Sequence, residues 1–366
     1  MDNLNATNNL TNILPNFATR SDVLSYLNSI PNLWETFSQL PEATRELMIG
    51  FFLGENGLPV TYDTVFRMVF NPYNHGDRIE ALLSALFGRK VKIIDVLSRE
   101  GTQLSEKASF VIMDVLVVLD DGTYANVEMQ KIGYQFPIER SDCYSADIIM
   151  RQYSRLKAEY KDSFSFKQMG KVFCIVLMEH SPAAFHEAPS IYKHNRYMQF
   201  NTGIMRDKTG LHEDIFLCLD TFQKNIHNVD ATSSMLDVWL TFLSSTDTKT
   251  ILHLITEFPE FLPIYKEISE FALNPEELLH MFSEELYIMD RNAERLMVTE
   301  LEETVAAKDN IIAEKDNALA EKDNVIAEKD NALAEQANVI AEKDNALAEQ
   351  AALIAQLQAK LAEQAK

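Results

Sequence analysis

The chain has 366 residues, 46% of them hydrophobic, which supports one sizeable core with an extension. A net charge of −22 argues against a protein that coats DNA indiscriminately, and no apolar stretch approaches the length of a membrane span. Three widely spaced cysteines, Cys143, Cys174 and Cys218, suggest neither a disulfide framework nor a zinc site, and read as small core residues.

Residues 1–20, rich in Asn and Thr, read as a flexible lead-in without a basic or apolar leader segment, which fits a reducing cytoplasm. Ser21-Asp22 is placed to cap a short helix, and Pro41 to open another in its first turn. Helices are predicted over 62–70 and 77–87, separated by the break Asn71-Pro72-Tyr73-Asn74-His75-Gly76. Strands are predicted over 91–98, 109–119, 123–131 and 171–179, the last apolar enough for the middle of a sheet. A helix from Ile138 to Tyr160 is long enough to cross between the third and fourth strands, which are then parallel. β-like pieces near 196–201 and 214–221 precede helices from about 234 onward.

Asp120-Asp121-Gly122 lies between two β-rich runs and signals a hairpin. Asp114 sits in the first, apolar run, and Glu128 and Gln130 share one face of the second. An Asp in such a run is costly to bury unless it is paired, hydrogen-bonded or metal-bound. Two carboxylates converging from neighbouring strands form a hard oxygen site suited to Mg²⁺, with Mn²⁺ as a substitute. Asp114 and Glu128 are therefore the candidate metal ligands.

With these residues in strand–turn–strand order, the chain resembles the PD-(D/E)XK nuclease superfamily, in particular its recombination-promoting nuclease/transposase branch. Three further segments carry the resemblance: Thr61-Tyr62-Asp63-Thr64-Val65-Phe66-Arg67, then Arg140 and Tyr144 with Gln152 and Tyr160, then the run Val172–Met178. It covers roughly residues 60–300. It implies an α/β, restriction-endonuclease-like core: a mixed sheet flanked by helices, here with helical additions. The expected division is an N-terminal helical extension (1–58), the nuclease-like core (59–230), a helical region (231–305) and a repeat tail (306–366). The implied activity is metal-dependent hydrolysis of DNA phosphodiesters in recombination or mobile-element movement. The alternative is a decayed nuclease fold acting as an oligomerising scaffold.

The resemblance gives catalytic roles to Asp114, Glu128, Gln130 and Asp63, and substrate contacts to Arg140, Tyr144 and Gln152. Gln130 stands where better-known members carry Lys. A neutral amide orients a water without acidifying it by charge, and Lys131 is turned to the opposite face. Asp63 reads either as a supporting acid or as an ordinary first-turn Asp that favours the helix dipole, and Glu80 is a second candidate for that acid. Arg140 reads as a phosphate ligand, a partner for a site carboxylate or a surface residue. Tyr144 is also explained by core packing. Between Lys131 and Lys208, twelve Lys and Arg face eight Asp and Glu; between Glu257 and Glu303, three face thirteen. One locally basic region is thus available to a phosphate backbone. No P-loop or dinucleotide fingerprint is present, so no nucleotide cofactor is expected.

From Ala306 the sequence repeats every seven residues, with Ile312, Leu319, Ile326, Leu333, Ile340, Leu347, Ile354 and Leu361 in one heptad place. With Leu319 at d, position a holds Asp316 and Asp323, so the apolar stripe is narrow. Weak self-association as a homo-oligomer and a solvated single helix are both open.

Overall fold

A computed structural model describes residues 13–98, 113–132, 138–204, 210–225 and 229–364. The chain divides into two compact units, Met1–Leu296 and Met297–Lys366.

The first unit opens with three helices, α1 (Arg20–Ser29), α2 (Leu33–Gln39) and α3 (Glu42–Phe52). Thr19, rather than Ser21 or Asp22, caps α1: its hydroxyl accepts the Asp22 amide at 3.2 Å. Pro41 stands at the cap of α3, one residue before its first turn. Next come α4 (Asp63–Val69) and α5 (Gly76–Phe87), separated within the predicted Asn71–Gly76 break, whose last residue, Gly76, opens α5. Glu80, on α5, accepts the Ile93 amide at 2.8 Å and so holds the start of the sheet.

The sheet comprises β1 (Ile93–Val96), β2 (Val115–Leu119), β3 (Tyr124–Ile132), β4 (Val172–His180), β5 (Lys193–Tyr197) and β6 (His212–Cys218), in the order β1-β2-β3-β4-β6-β5. It is mixed: β3, β4 and β6 are parallel, while β1, β2 and β5 pair antiparallel with their neighbours. The 109–112 portion of the predicted second strand lies outside the described residues. The strand predicted over 214–221 instead ends at Cys218 and turns into helix α7 (Leu219–Asn225). At that junction the Asp220 carboxylate accepts the Ser181 amide and hydroxyl and its neighbour Thr221's amide, so the polar side chain fixes the turn.

β2 and β3 close as a hairpin. The Gly122 amide donates to Leu119 O, and Gly122 takes φ 81, a conformation glycine reaches without a Cβ clash. Helix α6 (Ile138–Tyr160) connects β3 to its parallel neighbour β4 over the bounds predicted for it.

Strand alternation sorts the sheet into two apolar faces. Leu116, Val118, Tyr124, Cys174, Val176, Met178 and Phe216 pack with Tyr144 and Ile148 of α6. Val115, Val117, Val127, Met129, Ile175 and Leu177 join a larger cluster on the other face, running from Ile13 to Phe282. Of the cysteines, Cys174 and Cys218 are core residues, but Cys143 is exposed on α6, a correction to its reading as a core side chain.

The remaining helices are α8 (Met235–Ser244), α9 (Thr248–Glu257), α10 (Leu262–Leu273) and α11 (Pro275–Gln364). Ser234 and Asp247 cap α8 and α9 by accepting the Asp237 and Thr250 amides. α8 is buried nearly all round, each large side chain contributing about 1.5–3 kcal/mol on transfer from water. In the second unit, Ile312, Leu319, Ile326, Leu333, Ile340, Leu347 and Ile354 are all more than half exposed. Among the described residues no helix is long and apolar enough to cross a membrane.

Candidate active site

Asp114 immediately precedes β2, and the pairing Val115↔Val127 brings it opposite Glu128 on β3. Both are buried, Glu128 to 1% exposure. Each carboxylate is held by the other strand: Glu128 Oε1 accepts the Asp114 amide at 3.2 Å, and Asp114 Oδ2 accepts the Met129 amide at 3.0 Å. Glu128 Oε1 also accepts from Asn126 Nδ2 at 2.9 Å. Burial, then the adjacent Asp114 charge, pushes the Glu128 carboxyl well above the usual range.

Helix α4 supplies the neighbouring charges. Arg67 lies one turn after Asp63 and bridges it (2.8 Å) to Asp114 Oδ1 (3.2 Å). A pocket of about 140 Å³ opens beside this bridge, lined by Arg67, Asn71, Tyr73, Leu97, Asp114 and Leu116.

Helix α6 supplies the opposite wall. Arg140 Nε donates to the Tyr144 hydroxyl at 2.6 Å, and its guanidinium lies 5.2 Å from that ring's centroid. The Arg140 charge favours the ionised Glu128, whereas burial and then the Glu128 charge raise the Tyr144 phenol. Asp114, Glu128, Arg140 and Tyr144 thus form one electrostatic group. Gln130 shares the Glu128 face by alternation and is half-buried. Lys131 is turned away, its Nζ 4.1 Å above the Tyr62 ring.

The donor set suits a divalent cation. Two buried carboxylates repel each other, all their ligand atoms are hard oxygens, and a cation between them would offset both the burial and the repulsion that raise the Glu128 carboxyl.

A family model described as PD-(D/E)XK nuclease family transposase matches residues 60–295. The chain belongs to that family. Compared with curated proteins and with solved structures, it finds no match.

In this PD-(D/E)XK family member, Gln152 stands apart from the other predicted site residues. Its Nε2 donates to Gly170 O at 3.2 Å, just before β4. That end of the sheet aligns with Tyr124, four residues and about 13 Å along β3 from Glu128. Glu80 is likewise committed elsewhere, at the β1 amide.

Two residues at the site were not singled out from sequence. Asn126 was legible in principle, because Asn126, Glu128 and Gln130 form a polar row at period two in an apolar strand. Arg67 stood in a quoted motif, but only the docking of α4 reveals its bridge to Asp114. A second cluster had no sequence signal: ligand atoms of Asp142, His212 and Asp214 lie within 4.8 Å of one another. Arg196 fills it, with Nε 2.5 Å from Asp214 and Nη2 2.5 Å from Asp142, while His212 reaches Asp214 at 2.6 Å. That network is closed by a fixed cation of the protein itself.

Proposed function

We propose that this nuclease-family chain is a divalent-metal-dependent endodeoxyribonuclease, hydrolysing DNA phosphodiesters in recombination or mobile-element movement. The observation that carries the reading is the pair of buried carboxylates, Asp114 and Glu128, each held by an amide of the other's strand, with burial and the Asp114 charge together raising the Glu128 carboxyl. Asp114 and Glu128, with the Met129 carbonyl, would hold Mg²⁺ or Mn²⁺. The bound cation supplies Lewis acidity, polarising the phosphate and acidifying the attacking water.

The chain's own groups do the rest. Gln130, on the Glu128 face, orients the water with its side-chain amide. Arg140, steadied by the Tyr144 hydroxyl, neutralises charge that grows on the phosphoryl oxygens as water adds to phosphorus and the ester P–O bond breaks. Asp63 sets the position of Arg67, and through it that of Asp114. Gln152 supports the far end of α6 rather than touching substrate.

Calorimetric titration of the full chain with Mn²⁺ tests the metal site. The reading expects binding that Asp114→Asn abolishes; binding that survives this change places the metal elsewhere, and none in the wild type favours the scaffold alternative, whose sequence basis is Gln130.

A further inference from the structure

The candidate active site uses the first turns of α6. Its far end carries a different feature. Between Arg151 and Lys171 the chain has six Lys or Arg and two Asp or Glu, within a protein of net charge −22. Three aromatic rings gather there. Tyr153 and Phe166 stack with centroids 5.9 Å apart and 11° between planes, and Phe164 meets both edge-on at 5.4 and 5.2 Å. Lys157 Nζ lies 5.5 Å from the Phe164 centroid.

Phe166 is 71% exposed although its inner face rests on Tyr153. The backbone that presents it is fixed: Gln168 Oε1 accepts the Ser165 amide at 2.6 Å, Ser165 Oγ accepts the Lys167 amide at 3.4 Å, and Lys161 holds φ 47. Lys157, Lys161 and Lys167 on the same segment are exposed. An exposed ring stacked on Tyr153, on a segment with a surplus of exposed cations, matches a ligand that combines planar bases with a phosphate backbone. A paired duplex hides its base faces.

We propose that the turn after α6 is a stacking platform for unpaired nucleotides of the DNA on which the carboxylate site acts. This rests on the DNA-cleavage reading for its substrate, but the platform is built from other residues. Tyr144 and Tyr153 are nine residues apart, about 13 Å along the helix. Nine residues is about two and a half turns, so Tyr153 faces away from Tyr144 and the platform meets the nucleic acid outside the segment held at the carboxylates.

The test uses the full chain carrying Asp114→Asn, so that no DNA is consumed. A fluorescein-labelled twelve-residue oligo-dT is titrated in low salt with EDTA and followed by anisotropy, beside a blunt duplex of equal length. Adding Phe166→Ala should weaken oligo-dT binding about 5- to 150-fold, since one base–aromatic stack contributes about 1–3 kcal/mol, and leave the duplex unchanged. Because Phe166 is exposed, the fold should survive, as circular dichroism can check. Phe166→Trp should show fluorescence quenched by oligo-dT. Equal oligo-dT affinity with and without Phe166, or an unquenched Trp, overturns the platform. Phe166-dependent binding in a protein whose wild type cuts no DNA would sink the cleavage reading alone; cleavage without Phe166-dependent binding would sink the platform alone.

Discussion

Replacing Glu128 by Gln should make the metal-free protein more stable while removing its response to metal. Gln keeps the side chain's volume and an acceptor oxygen for the Asp114 and Asn126 donors. It removes a buried charge beside another. Two unit charges about 4 Å apart interact by about 4 kcal/mol at an effective dielectric of 20. The wild type recovers part of that by protonating Glu128 and by the attraction of Arg140, so a gain of about 1–3 kcal/mol is expected at pH 8 in EDTA. For a unit of this size that is roughly 2–10 °C in Tm. The sign with pH follows from linkage. The folded Glu128 carboxyl is raised, so above the unfolded value of about 4.3 the native state holds an extra proton, and wild-type stability falls as pH rises through the folded value. The advantage of Glu128→Gln should therefore be small near pH 4 and grow towards pH 8. Thermal melts at several pH values, with EDTA or Mg²⁺, measure this. A variant less stable than wild type at pH 8 in EDTA, or one that gains as much from Mg²⁺, would refute the reasoning.

Other changes separate the roles of the site residues. Arg140→Lys removes the Nε donor to Tyr144, and cleavage should fall about 10²–10³-fold in kcat with little change in Tm; a large loss of Tm would make Arg140 structural. Gln152→Ala deletes a buried hydrogen bond to Gly170 O and should cost about 1–3 kcal/mol in denaturant melts, while the folded protein keeps its cleavage rate; a selective rate loss would return Gln152 to the substrate. The exposed Ile/Leu seam of the tail should associate, so light scattering should give a larger assembly for the full chain than for residues 1–305; equal subunit numbers would leave the tail a single helix.

The legible parts of the fold were those with a strong local period. α6 and β4 show nearly continuous helical and apolar patterns, and Asp120-Asp121-Gly122 marks the β2–β3 turn, where Gly122 takes a positive φ. Asp114 and Glu128 were readable because carboxylates in apolar strands demand compensation. Arg67 and Asn126 were harder to read because their role depends on which helix docks where and which neighbour shares a strand face. Gln152 lies apart from the carboxylates for the same reason: a residue two turns along a helix shares its face but not its position on the sheet. The Arg196 network joins α6, β5 and β6 across 54 and 18 residues of sequence, beyond any local pattern.

The most direct measurement is relaxation of supercoiled plasmid by the full chain in Mg²⁺ or Mn²⁺ at low salt, beside Asp114→Asn and Glu128→Gln. The account predicts nicking by the wild type, its loss in EDTA, and its loss in both folded variants. Nicking that persists in either variant, or none by a folded wild type, would contradict it.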